Sequence, residues 1–276
     1  MFFLSLVDVL VVALPFVYGG LVLLYGISFF KGSTWAAKST SLTLLSVVIL
    51  HLSYLLARTA AFDHPPVTTV FEIMTMLAFC IVVGYAYIEF KTKASNTGFF
   101  ILLLALFFQT ASSLFIKDLP DIPPFLRSRL LGFHVSAALL GYTAISLSAV
   151  YGVLYLLLYH EIKSSRFGVI YNRLPNLEML EKMSHKAEVF GFIMLTVAIC
   201  VGLFWLPRVF PGFSYWDPKL IGSLIIWALY AIALSAKRRF GWQGKKTMII
   251  AVIAFAFVFL SMTVVNMYLS GFHSFH

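Results

Sequence analysis

The chain has 276 residues, 61% hydrophobic and only 11% charged, where a soluble domain carries about a quarter charged residues. No aqueous core of this size hides so much apolar surface, so lipid is the solvent for most of the chain. Long apolar runs without the alternation of barrel strands specify an all-α, polytopic membrane helical bundle.

In chain order, eight spans are predicted, at about 4–30, 40–61, 69–90, 97–116, 131–159, 187–206, 220–236 and 247–269. The first basic residue is Lys31, after the first apolar run. A cleaved leader would carry its basic residues before that run. The run therefore reads as an uncleaved first helix with its N-terminus outside, kinked at Pro15. Fourteen Lys and Arg then fall on inner ends and six on outer ends, in line with the preference for basic residues inside. The net charge of +9 thus reports membrane topology, and nucleic acid is not expected as a partner. Residues 1–276 read as one integral membrane domain with both termini outside.

Between the spans, the run "NLEMLEKMSHK" in the inner loop at about 160–186 alternates apolar and charged residues and suits an amphipathic helix on the inner surface. The outer stretch "KDLPDIPPFLRSR" predicts a stiff, irregular cap. Cys80 and Cys200 lie in apolar runs without a CxxC pattern and read as two buried small hydrophobes.

The candidate chemistry lies in histidines and one loop. "PGFSYWDPK", between the sixth and seventh spans, sets Phe213, Tyr215, Trp216 and Asp217 together. The predicted topology puts this loop on the outer side with His134, at the start of the fifth span, and His273, beyond the last. His51 sits near the middle of the second span, where an ionisable residue marks a functional hypothesis. His185 opens the sixth span from the inside. Imidazole ligates haem iron; the macrocycle wants apolar and aromatic walls, and its propionates want cations, here Arg127, Arg129, Arg208 and Lys219. Zinc would take three or four close ligands, and no HxxxH or HExxH run supplies them. Each feature also has a plain structural reading. His51 serves equally well as a hydrogen-bonded packing residue, the aromatics as an interfacial belt, and Glu72, about one turn into the third span, as an interhelical hydrogen-bonding group rather than a proton site. Spacing alone stops at a polytopic membrane protein with haem binding as one option.

Several stretches, in order, resemble one family. "HVSAALLGYTAISLSAVYGVLYL" is similar to the His-bearing helix of the CcsA/ResC cytochrome c assembly proteins, within the wider CcmC/CcmF/CcsA superfamily. "YWDPK" resembles the end of their tryptophan-rich WWD signature, and "GFHSFH" the His-Ser segment after their last helix. "FDHPPVTTVFEIMTML" resembles the segment leading into their third helix. The short length and "GWQGKK" look like the HemX-like and YpjD-like branch. The resemblance implies haem, of the b type, held at the outer face of the inner (plasma) membrane by His134 and His273. Trp216 and Asp217, with Tyr215 and Phe213, would form its platform. It further implies presentation of haem to apocytochrome c beside a ResB/CcsB-type membrane partner. The attacking thiols belong to the apocytochrome, so no catalytic residue is expected here, and an accessory or subunit of a haem lyase system is expected rather than a stand-alone enzyme. The chain departs from the family where "PRVFPGFS" replaces the Trp-rich lead of the signature. It departs again where Ser235 stands in place of a family histidine. A second haem iron would then fall to His51 and His185. A HemX-like regulator of tetrapyrrole synthesis acting on glutamyl-tRNA reductase through the 160–186 loop is the alternative, and a small-molecule transporter a third.

Overall fold

The structure, a computed structural model, describes residues 2–93, 95–118, 128–209 and 214–261. These residues hold helices and no strand. In lipid an unpaired peptide group has no water to turn to, and a helix satisfies its backbone within itself.

Contacts divide the chain into two compact units, Met1–Ile122 and Pro123–His276. The first contains α1 (Phe2–Gly26, continued by a π-helical turn Ile27–Lys31), α2 (Thr34–Phe62), α3 (Val70–Thr92) and α4 (Gly98–Phe115). The second contains α5 (Arg129–Lys163), α6 (Val169–Arg173), α7 (Leu177–Val209), α8 (Pro218–Phe240) and α9 (Lys245–Leu260). Among the described residues seven helices are long and apolar enough to cross a membrane: α1 with its π turn, α2, α3, α4, α5, α7 and α8. Together they make a polytopic helical bundle. The eighth expected span begins as α9, and its remainder to residue 269 lies outside the described residues, as does most of the expected cap, 119–127.

Helix boundaries follow local chemistry. Gly32 takes a left-handed φ of 67° to end the π turn, and the Ser33 side chain then accepts from the Ala36 N–H to start α2. Thr69 and Glu72 form a reciprocal capping box at the start of α3. Helix α1 runs through Pro15 without interruption.

In the first unit, α1 packs on α2 and α4, and α3 packs on α4 and α2. Large apolar side chains such as Phe16 and Leu42 lie on the outside, while polar groups are turned inward. Arg58 and Glu72 are 1% and 0% exposed and form an ion pair at 3.0 Å. The other Glu72 oxygen accepts from the Thr68 N–H and hydroxyl at 2.8 and 2.6 Å. Arg58 also donates to Asp118 and to the Lys117 carbonyl, both at 3.0 Å. The buried guanidinium is therefore a structural clasp between α2, α3 and the end of α4. Glu72 takes the hydrogen-bonding role expected of it. At another level Glu89 accepts from Tyr25 and Ser41, each at 2.6 Å, tying α3 to α1 and α2.

In the second unit, α5 packs against α7 and α9, and α8 contacts α7 and α9. Close approach of α5 and α7 rests on small residues, as is usual between helices in lipid. A Cβ on Gly191 would lie 2.8 Å from Ile145 Cγ1 and 3.2 Å from the Gly141 carbonyl. One on Gly141 would lie 2.8 Å from Leu195 Cδ2. Ile145, Leu195, Ile226, Tyr230, Ala254 and Val258 form the shared core of α5, α7, α8 and α9. Trp227 Nε1 donates to Thr196 Oγ1 at 2.8 Å.

Two expectations are corrected here. The run 176–186 is not a separate surface helix. From Leu177 it is the opening of α7, continuous with the apolar span. No Pro or Gly separates the charged turns from the apolar ones, so the backbone has no reason to break. Its inward positions are already used: Leu180 and Ser184 are fully buried, and Ser184 bonds to Ser148 of α5 at 3.0 Å. Cys200 is exposed rather than buried, because an apolar helix in lipid presents apolar side chains on its outer face as readily as on its inner one.

Candidate functional site

The second unit carries a pocket assembled from three helical stripes. Helix α5 supplies His134, Ala138 and Tyr142 at four-residue steps; α7 supplies Leu195, Ala198, Ile199, Gly202, Leu203 and Leu206; the start of α8 supplies Asp217, Leu220, Ser223 and Ile226. Each set recurs at helical spacing, so each helix gives one face. The space between them is about 80 Å³, room for a few water-sized groups or the edge of a larger ligand.

His134 lies in the second turn of α5. Its Nδ1 is 2.8 Å from the Ala198 carbonyl of α7. A carbonyl only accepts, so Nδ1 carries the proton, and the basic lone pair falls on Nε2. This is how ligating histidines are commonly held: one nitrogen donates to a fixed acceptor and the other binds the metal.

Asp217 reaches the pocket through a tight turn. The Ser214 carbonyl accepts from the Asp217 N–H at 3.2 Å, and Ser214 Oγ accepts from the Trp216 N–H at 3.2 Å. The Asp217 carbonyl accepts from the Ile221 N–H at 3.0 Å, which makes Asp217 the N-cap of α8 with Pro218 at its first position. The turn sends neighbouring side chains opposite ways. Trp216 is 83% and Tyr215 63% exposed, whereas Asp217 is 6% exposed. The expected aromatic loop is thus an outward platform of Tyr215 and Trp216 beside an inward carboxylate. Phe213 and His273 lie outside the described residues, as does Arg127. Arg208 stacks on Phe204, 3.7 Å from the ring centroid.

His51 and His185 are in different units. His51 is fully buried with both ring nitrogens engaged. Nδ1 is 2.7 Å from the Tyr18 hydroxyl and Nε2 is 3.0 Å from Thr75 Oγ1. Thr75 in turn donates to Gln109 Oε1 at 2.7 Å, and Gln109 Nε2 to Ser113 at 3.0 Å. Because the Thr75 proton goes to Gln109, Thr75 accepts from His51 Nε2–H, and Tyr18 donates to Nδ1. His51 therefore links α1, α2, α3 and α4 in one directional chain; ligation would require breaking it. His185 is half-buried, with Nδ1 3.7 Å from the Glu188 carboxylate.

Gly202 and the Ala198 carbonyl were not among the residues expected at the site. A lone Gly late in an apolar run is a weak sign of close approach, and a backbone carbonyl has no sequence signature at all.

The family model for the cytochrome c assembly protein matches residues 35–273, which take in most of both units. The chain belongs to the cytochrome c assembly protein family. Among curated relatives, the cytochrome c biogenesis protein CcsA of Pyropia yezoensis is 27% identical, covering 94% of this chain and 95% of its own. CcsA of Guillardia theta is 27% identical over 76% of each chain, and that of Prochlorococcus marinus 26% identical over 91% and 87%. Family membership supports a role in cytochrome c biogenesis, which implies haem handling. It lends no support to the HemX-like regulatory alternative.

Proposed function

We propose that this protein binds haem at the His134 pocket and presents it on the outer side of the inner membrane for attachment to apocytochrome c. The observation that carries the reading is the His134–Ala198 hydrogen bond, which leaves Nε2 as the metal-binding nitrogen in a pocket with apolar walls. The residues fit the group. Leu203, Leu206 and Leu220 offer apolar contact to a macrocycle edge, Tyr215 and Trp216 offer exposed aromatic faces, and α5 provides a rigid base for the ligand. Family likeness adds His273 as the second axial ligand and Phe213 to the platform. Haem supplies the iron and the vinyl groups to which the apocytochrome thiols add. This chain's part is to hold, orient and expose it, with Asp217 fixing the turn. A ResB/CcsB-type membrane protein is the expected partner.

The test is the absorption spectrum of purified protein after haem-replete expression. Bis-histidine ligation predicts a sharp low-spin b-type spectrum, weakened by His134→Ala and by His273→Ala. Colourless protein, or unchanged spectra in both variants, rejects the proposal.

A further inference from the structure

His134 sits at a notch in α7. The Ala198 carbonyl is the helical acceptor for the N–H four residues on, at Gly202, and it also accepts from His134 Nδ1 at 2.8 Å. For the imidazole to reach that carbonyl, the side chain one turn further along must be absent. A Cβ on residue 202 would stand 3.0 Å from His134 Cε1 and 3.2 Å from Nδ1, tighter than ordinary van der Waals contact at about 3.5–4.0 Å. Gly202 and the Ala198 carbonyl lie on the same helix, so a ring that yields to the new Cβ backs away from its acceptor as well. Helical φ and ψ make no demand for Gly at 202; the demand comes from the histidine.

We propose that Gly202 is a positioning residue. By leaving space beside the Ala198 carbonyl, it seats the His134 ring, selects its Nδ1–H tautomer and keeps Nε2 as the ligating nitrogen. The haem-dependent part of this inference rests on the proposed ligation by His134; the tautomer does not. A donor bond from the distal ring nitrogen raises ligand basicity, and losing such a bond typically costs about 10–100-fold in metal affinity. With Ala at 202 the ring is pushed off the carbonyl, both tautomers become accessible, and the ligand becomes less basic.

Two measurements decide it. The first is 15N NMR of histidine-labelled, haem-free full-length protein in detergent, with the His134 signals assigned by their loss in His134→Ala. Wild type is expected in the Nδ1–H tautomer and Gly202→Ala in a mixture. Wild-type His134 in the Nε2–H tautomer overturns the inference without reference to any variant's folding. The second is haem titration with potentiometry. Gly202→Ala is expected to bind haem about 10–100-fold more weakly and at a raised midpoint potential. Gly132→Ala on α5, where an added Cβ meets nothing within 4 Å, is expected to match wild type. Wild-type affinity and potential in Gly202→Ala, while His134→Ala loses haem, overturns the positioning role. If His134→Ala keeps the full haem spectrum, haem ligation fails instead, and the tautomer measurement still decides what Gly202 does for the ring.

Discussion

Trp216 and Asp217 are neighbours in sequence and opposites in environment: the indole is 83% exposed and the carboxylate-bearing residue 6% exposed. The turn closed by the Ser214 carbonyl separates them. Their substitutions should therefore separate as well. Trp216→Ala removes no packing and is expected to leave the melting temperature within about 1 °C of wild type, since surface changes usually cost under ~0.5 kcal/mol, while lowering haem occupancy. Asp217→Ala removes an N-cap residue, which costs roughly 0.5–2 kcal/mol, and is expected to lower both. Thermal unfolding in detergent together with haem content checks the split; a stability loss in Trp216→Ala would contradict it.

Breaking the Arg58–Glu72 clasp should be among the most damaging single changes in the first unit. Glu72→Ala takes from a buried guanidinium its buried carboxylate partner, leaving Asp118, a carbonyl and the Phe62 ring among the described residues, and removing one partner of a buried pair costs roughly 3–5 kcal/mol. Arg58→Met combined with Glu72→Leu strands no charge at that pair, so the double variant is expected to be recovered in higher monodisperse yield than Glu72→Ala. Fluorescence-detected size-exclusion chromatography reads the difference.

His51 separates a structural from a ligating role. His51→Ala strands the Tyr18 hydroxyl and Thr75 among buried groups. Interhelical hydrogen bonds in membranes average about 0.6 kcal/mol, reaching ~1.7. A lowered melting temperature with an unchanged haem spectrum is the expected result. Loss of haem absorbance at unchanged stability would instead return His51 to the iron.

At the α5–α7 contact, Gly191→Ala is predicted to cost roughly 1–3 kcal/mol by overpacking, because both Ile145 and the Gly141 carbonyl stand in the way. A melting temperature equal to wild type would show that the two helices slide apart without penalty.

Much of this architecture was legible beforehand. The apolar runs matched the long helices to within a few residues at most ends, because hydropathy sums locally and lipid enforces helix along the run. Helix α2 begins six residues before its apolar run, at Thr34, and α7 departs furthest. Glu178, Glu181, Lys182 and Lys186 ended the apolar signal, yet they did not end the backbone hydrogen bonds, so the helix begins about three turns earlier, at Leu177. Cys200 shows the same limit from the other side: apolarity marks a span without telling which face is inward.

By itself the sequence determined the solvent, the helical class, most of the spans and the motifs that tie the chain to the cytochrome c assembly family. All of these depend on residue type and short-range spacing. Tertiary structure alone decided that His134 meets the Ala198 carbonyl, 64 residues away. It alone decided that His51 is held by Tyr18 and Thr75 from two other helices, and that Asp217 turns inward while Trp216 turns out. Those outcomes depend on which donor finds which acceptor across packed helices, and hydropathy carries no record of that pairing.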